Sequence, residues 1–365
     1  MSEWQTFCLK DLGKIIGGAT PPTNNPKNYG NKISWITPKD LSALQGRYIK
    51  KGSRSISRLG FKSCSCVLLP KHAILFSSRA PIGYVAIAEK RLCTNQGFKS
   101  IITNKKIYFE FLYYLLKYHK DNISNIGGGT TFKEVSGATL GLFKVKIPPT
   151  YHEQQKIAHT LSILDQKIEN NHKINELLHN LTHKVYGYYF KYKPKNAKLE
   201  QIIIENPKSS IMVKNAQKTQ DKYPFFTSGD NTLSYPKAII DGRNCFLNTG
   251  GNAGIKFYVG KASYSTDTWC IGANEFSDYL YLLLSSIKTH INQSFFQGTS
   301  LKHLQKNLLK KYPIYMPSAH EIKKFNQIIM PLLTLISINT RTSKKLEQIR
   351  DFLLPLLLKQ QVKPQ

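Results

Sequence analysis

Two widely separated stretches of the chain carry apolar residues at alternating steps of three and four. In 153–190 these are Ile157, Leu161, Leu164 and Ile168, then Leu178, Val185 and Tyr189. In 321–358 they are Phe325, Ile329, Leu332, Ile336, Leu346, Leu353 and Leu357. That spacing holds one stripe of a helix apolar, so it predicts two long amphipathic helices, each needing a partner for its stripe. The middle of each stripe is polar, with Asn171, Asn175 and Thr182 in the first and Asn339 and Ser343 in the second. Asn171 and Asn339 hold the same place in their stripes. An Asn in such a seam fixes register at a cost in stability. The two stretches are therefore expected to pair as an antiparallel coiled coil, polar layers together at mid-rod.

The segment before each helix alternates differently. Ile33–Thr37, Cys66–Leu69, Ala73–Phe76, Tyr84–Ala88 and Phe98–Ile102 read as strands separated by polar turns, and 107–119 reads as a helix. A second, shorter run of the same order follows the basic linker Lys191–Lys195, with a strand over Ile255–Val259 and a short helix over Asp278–Ser285. Gly298-Thr299-Ser300-Leu301-Lys302 follows Gly129-Thr130-Thr131-Phe132-Lys133 at the same offset by which Pro317 follows Pro148. Order and spacing agree with the helix stripes to within one residue, which indicates an internal duplication. The expected fold class is mixed α/β (α+β): a globular domain over 1–150, a long helix over 151–192, a second globular domain over 193–319 and a second helix over 320–365.

Charge then narrows the function. The chain of 365 residues has 52 Lys+Arg against 22 Asp+Glu, a formal net charge of +30. Such a surplus implies a polyanionic partner, since neutralised phosphates release counterions and drive binding. A hydrophobic fraction of 41% supports packed cores and argues against disorder. The six cysteines are spaced for neither a zinc site nor a disulfide framework, so reduced thiols in a cytosol are expected. The N-terminal residues lack the pattern of a signal peptide, and the apolar runs near 328–338 and 352–358 are too short to span a bilayer. A cytoplasmic location with no membrane partner is the expectation.

A DNA methyltransferase would need a glycine-rich cofactor loop and an Asn/Asp-Pro-Pro-aromatic tetrapeptide, and Asn206-Pro207-Lys208 lacks the second proline and the aromatic. Gly127-Gly128-Gly129-Thr130-Thr131 lacks the Gly-Lys-Ser/Thr ending of a P-loop. Gly250-Gly251-Asn252-Ala253-Gly254 is read as a β-turn. Glu321-Ile322-Lys323 mimics the end of a nuclease motif, but Glu suits the start of the second helix.

Several stretches together resemble the specificity subunit of type I restriction–modification systems. They are Trp35-Ile36-Thr37-Pro38-Lys39-Asp40-Leu41, Ser77-Ser78-Arg79-Ala80-Pro81-Ile82-Gly83, Asn95-Gln96-Gly97-Phe98, the Gly129-Thr130 loop, Ile147-Pro148-Pro149 and Glu153-Gln154-Gln155-Lys156-Ile157. Arg350-Asp351-Phe352-Leu353-Leu354-Pro355 resembles the family's second conserved helix, whereas Ala319–Phe325 departs from the EQQKI run of the first. The resemblance implies a non-catalytic subunit whose two target-recognition domains each read half of a split sequence in double-stranded DNA. It also implies helices that dock two modification subunits, and a restriction subunit that can join. On that resemblance no cofactor or metal belongs to this chain; S-adenosylmethionine, ATP and Mg belong to the partners.

Within that frame the candidate DNA contacts are loop residues. Arg79 stands among small residues, where a guanidinium reaches a phosphate, a guanine edge or the loop's own carbonyls. Lys39, Lys99, Lys133, Lys256 and Lys302 flank loops and either neutralise phosphates or remain solvated. Thr130, Thr131, Thr299 and Ser300 either donate to DNA or cap turns, and Asn252 joins them from its glycine turn. The partner seam is assigned to Ile157, Leu161, Leu164, Ile168 and Asn171 on one helix and to Ile329, Leu332, Ile336, Asn339, Leu346 and Leu353 on the other. Two other readings stay open: a self-contained DNA modification or restriction enzyme, and a basic coiled-coil scaffold bound to RNA.

Overall fold

A computed structural model describes residues 3–129, 133–216 and 222–364. Tyr151–Phe190 and Ala319–Leu358 are each one continuous helix of 40 residues. The first long helix packs on the second in the opposite direction. Asn171 Nδ2 donates to Ser343 Oγ at 3.1 Å, and Asn339 Nδ2 donates to Asn175 Oδ1 at 2.9 Å. The Tyr189 and Phe190 rings lie 5.8 and 4.9 Å from that of Phe325. Asn171 thus meets Ser343 rather than Asn339. The crossing point falls between positions 171 and 175, so each polar residue faces the repeat counterpart of the other.

The chain divides into two compact units, one holding the residues up to Asn170 with those from Lys345 onward, the other Asn171–Lys344. Both units repeat one plan. In the first, a sheet runs in the order Gly13–Gly17, Lys99–Thr103, Ile74–Ser78, Ile82–Ala88, Tyr48–Ile49; in the second, Ile204–Glu205, Thr268–Gly272, Arg243–Asn248, Ile255–Val259. A smaller sheet accompanies each. Tyr29–Ile36 pairs antiparallel with Arg54–Ile56 and parallel with Cys93–Thr94. Tyr223–Phe226 likewise pairs antiparallel with Leu233–Tyr235 and parallel with Ser263–Tyr264. A two-stranded ribbon ties the start of each globule to the residues just before its long helix, Gln5–Cys8 with Lys144–Ile147 and Ala197–Lys198 with Pro313–Ile314. The duplication read from loop spacing is thus present in strand order and in pairing direction.

Two local expectations change. Cys66–Leu69 forms no strand; only Leu69 pairs, with Leu92. Its apolar residues serve two different clusters, Cys66 beside Trp35 and Leu69 beside Phe98, so burial and not a ladder explains them. The helix expected over 107–119 runs Phe109–Asn125. The short counterpart expected over Asp278–Ser285 in the second unit is present as Ser277–Ser286, and a further helix, Lys288–Ser294, follows it.

Each core is closed by both long helices. In the first unit Ile157, Ala158 and Leu161 of one helix and Leu354, Leu357 and Leu358 of the other pack with Phe111 and Leu115. In the second, Tyr186 and Phe190 meet Phe325, Ile329, Leu333 and Ile336 around Tyr279 and Leu283. The stripe is wider there than two positions per heptad, because a helix lying on both a globule and a helix must hide a broader face. Among the expected seam residues, Ile157, Leu161, Ile168, Ile329 and Ile336 are buried, and Leu164, Leu332, Leu346 and Leu353 are half-buried. No helix among the described residues is long and apolar enough to cross a membrane.

An arginine, buried in the first unit and half-buried in the second, anchors each globule to a long helix. Arg47 reaches Glu110 at 3.1 Å and Glu169 of the first long helix at 3.2 Å. Arg243 reaches Asp278 at 2.7 Å, and donates to Thr334 Oγ1 at 2.9 Å on the second long helix. Glu110 and Asp278 are counterparts in the two units, each in the first turn of its helix. Burial raises the Asp278 carboxyl pKa above the ordinary aspartate range, against the pull of Arg243. A raised folded-state pKa means that stability falls as pH climbs through the range above the ordinary aspartate value and returns as pH falls. Removing the arginine leaves the carboxylate, whose side chain is 2% exposed, without a counter-charge. Arg243→Met is therefore expected to cost about 3–5 kcal/mol at neutral pH, with part of the loss recovered toward mildly acidic pH as Asp278 takes a proton. Thermal melts across pH check this; a loss equal at both ends of the range would show that the bare carboxylate is not its cause.

Candidate DNA interface

In both units a loop leaving a central strand is stitched to a glycine-containing loop further along the chain. In the first unit the Val135 amide donates to the Ser78 carbonyl at 3.0 Å, and Gly128 and Glu134 exchange backbone hydrogen bonds at 3.1 and 2.9 Å. In the second the Leu304 amide donates to the Thr249 carbonyl at 3.0 Å and the Gly251 amide to the Lys302 carbonyl at 2.9 Å. The offset that relates the two glycine loops also carries Val135 onto Leu304, so the same stitch recurs. Gly298 makes the second loop possible. Its φ is +142°, and a Cβ there would lie 2.4 Å from the Leu301 carbonyl oxygen.

The first-unit cluster gathers most of its predicted residues. Arg79 Nη1 lies 3.5 Å from Glu134 Oε2 and Lys99 Nζ lies 3.2 Å from Glu134 Oε1, so one carboxylate holds two of the candidate cations. Lys133, beside them, is exposed. Lys39 is also exposed, next to Pro38, whose ring abuts Gly97 of the turn that accepts the Ser78 amide at 2.8 Å. Thr130 and Thr131 lie outside the described residues. In the second unit Asn252, Thr299, Ser300 and Lys302 come together on the two stitched loops with their side chains exposed. Lys256 stands apart. Its ammonium donates to the Thr227 carbonyl at 2.6 Å and to that of Gly229, and burial lowers its pKa below the ordinary lysine range. It braces a loop from within.

The structure also exposes a basic surface that loop motifs alone did not single out. Between residues 18 and 66 the chain has nine Lys and Arg against one acid, Asp40. Lys27, Lys32, Lys39, Lys50, Lys51, Arg54, Arg58 and Lys62 are all exposed, and Arg47 is buried. Asp40 does little to neutralise them. Its carboxylate accepts from the Thr37 amide and hydroxyl and from the Ser53 amide, each at 2.7 Å. Burial alone would raise its pKa, but those bonds hold it below the usual value. A charge-density window along the sequence would have found this stretch.

The nuclease-like Glu321-Ile322-Lys323 has a structural role. Glu321 accepts from the Ser318 amide at 3.0 Å and from the Tyr315 hydroxyl at 2.7 Å, which holds its pKa at about 2 and closes the start of the second long helix. Ile322 is buried in the second core. Among the described residues no group of three or more His, Cys, Asp or Glu is placed to hold a metal ion.

The family model described as type I restriction modification DNA specificity domain matches residues 1–180 and 194–348. The chain is 32% identical to the type I restriction enzyme MjaIX specificity subunit of Methanocaldococcus jannaschii, covering 98% of this chain and 93% of that one. It is 30% identical to the type I restriction enzyme HindI specificity subunit of Haemophilus influenzae over 46% of this chain and 37% of that one. The crystal structure of a type I restriction–modification S subunit from M. genitalium shares its fold, with a TM-score of 0.65 at 17% identity over 97% of this chain and 96% of that one.

Glu134 gives the interface a sharp test. Its removal frees Arg79 and Lys99 and deletes a charge that repels phosphate. Glu134→Gln is expected to tighten binding to duplex DNA and to steepen the dependence of log K on log salt by roughly one to two units. Fluorescence anisotropy between about 50 and 200 mM salt measures both. An unchanged slope would place these two cations away from the duplex.

Proposed function

The chain belongs to the type I restriction–modification DNA specificity family, and on that premise we propose that it reads a two-part DNA target and carries modification subunits to it. Its relatives are named as specificity subunits, so the catalytic steps belong to other chains. The observation that carries the proposal is the repeated loop stitch, because it presents one polar, cation-bearing surface in each of two units built to the same plan. Two such surfaces on one chain suit a target with two specified halves. Phosphate contacts position each unit, and side chains in a groove read bases.

The two long helices supply what the reading surfaces lack. In this proposal they pair as an antiparallel coiled coil, set the gap between the half-sites, and offer their outer faces to two modification subunits and, through these, to a restriction subunit. S-adenosylmethionine, ATP and Mg enter with those partners, in the cytoplasm where the genome lies.

Three outcomes test the proposal. Purified free of partner, the chain is expected to transfer no labelled methyl group from S-adenosylmethionine to DNA; transfer by the lone chain would count against a non-catalytic role. In a host carrying the chain with its modification partner, replacing residues 1–150 by those of a relative is expected to alter one half-site and leave the other unchanged. A hybrid with both halves altered would overturn independent reading. One heptad inserted into each helix at the Asn171 and Ser343 layer keeps the stripe in phase and lengthens each helix by about 10 Å, roughly three base pairs of duplex. Methylation mapping should then show both half-sites kept and the unspecified spacer longer by a few base pairs. An active variant with its spacer unchanged would remove the helices as the ruler.

A further inference from the structure

The arginines of the first unit are used very differently. Arg47, buried, and Arg350, half-buried, are paired with carboxylates, and Arg79 shares Glu134 with Lys99. Arg58 and Arg91 are exposed, with no aromatic ring stacked against them among the described residues. Arg54 alone is exposed, free of any ion pair or side-chain hydrogen bond among the described residues, and yet fixed in place. It opens the strand Arg54–Ile56, directly across from Trp35 in the ladder. Its guanidinium carbon lies 4.3 Å from the centre of the Tyr29 ring and 5.7 Å from that of Trp35.

The two rings are themselves pinned. They meet edge to face at 6.2 Å. The Tyr29 hydroxyl donates to the Pro21 carbonyl at 3.0 Å, and Trp35 Nε1 donates to the Ala19 carbonyl at 3.0 Å. The same loop reaches the Gln96 side chain through Thr20, and the neighbouring Gly97 carbonyl accepts the Ser78 amide beside Arg79. The loop that pins the two rings is therefore tied to the turn that holds Ser78.

A lysine that only neutralises a phosphate gains nothing from being oriented. A planar guanidinium does, because its fork matches the O6 and N7 acceptors of guanine, and restraint by a ring reduces the entropy lost when it binds. Aromatic rings orient such a group while leaving its donors unspent, which a carboxylate would not. The geometry points to Arg54 as a base-reading residue that specifies a guanine in the half-site read by the first unit, with Tyr29 as the platform that orients it. This inference rests on the proposed role in DNA recognition.

Methylation mapping in a host carrying the chain with its modification partner tests it, using the wild type, Arg54→Ala, Arg54→Lys and Tyr29→Leu. The wild-type motif should contain a guanine in the half-site that the 1–150 exchange alters. Arg54→Ala and Arg54→Lys should both relax that position, by roughly 5- to 150-fold in discrimination, and leave the other half-site unchanged. Arg54→Lys decides the matter if Arg54→Ala fails to fold, since it keeps the charge over the ring and loses only the fork. Tyr29→Leu should relax the same position with no change in charge. A half-site without guanine, a lysine variant that keeps full guanine preference, or a uniform loss of methylation with the motif intact would each overturn the assignment; the last would make Arg54 a phosphate contact. Wild-type chain that directs no sequence-restricted methylation would instead overturn the specificity-subunit reading, so the two failures are distinguishable.

Discussion

Neither globule can finish its core alone, and the rest of the structure follows from that constraint. Each sheet turns an apolar face toward a helix of its own and then needs further cover. The cover comes from the start of one long helix and the end of the other: Ile157 and Leu161 with Leu354 and Leu357 in the first unit, Tyr186 and Phe190 with Phe325 and Ile329 in the second. Each long helix is thus a core element of both units. In its middle the apolar stripe gives way to Asn171, Asn175, Asn339 and Ser343, which bond across the pair. Polar groups in that layer lose their partners if either helix slides by one turn, so the layer holds register while the ends supply most of the hydrophobic stabilisation.

The arginine anchors add orientation to this adhesion. Apolar packing is non-directional, whereas Arg47 and Arg243 each join a globule to a particular turn of a long helix through bonds of fixed geometry. The two anchors differ. The Arg47 cluster draws in Asp165, and through it Arg350 at 2.7 Å from the opposite helix, while Arg243 works with one carboxylate, the Thr334 hydroxyl and the Met330 carbonyl. The units also differ in charge at their small sheets. The first presents eight exposed cations between residues 27 and 62. In the corresponding stretch 207–241 of the second, five lysines are partly offset by three aspartates. Equal architecture therefore carries unequal electrostatics, and the first unit is the stronger source of attraction for a polyanion.

What the amino-acid order determined by itself was whatever depends on local period and on internal comparison. The heptad stripe marked both long helices to within a few residues of their ends, and the constant offset between glycine loops exposed a duplication that recurs in strand order and in the Val135 and Leu304 stitches. Charge counting pointed to a polyanion. Each of these signals is written in a single stretch, or in two stretches set side by side. Tertiary structure alone decided which distant residues share a surface and which are already occupied. Lys256 looked like its neighbours until its ammonium was seen on the Thr227 carbonyl, and Arg79 and Lys99 gave no sign of sharing Glu134. Cys66–Leu69 has the composition of a strand but feeds two separate clusters. Pro331 sits inside the second long helix, where a missing amide ought to break it, yet Ile329 and Leu333 on either side are buried in the second core and the helix continues. Arg54 was one basic residue among many until the ladder placed it opposite Trp35. In every such case the deciding interaction joins residues far apart in the chain, and neither their identities nor their spacing records that they meet.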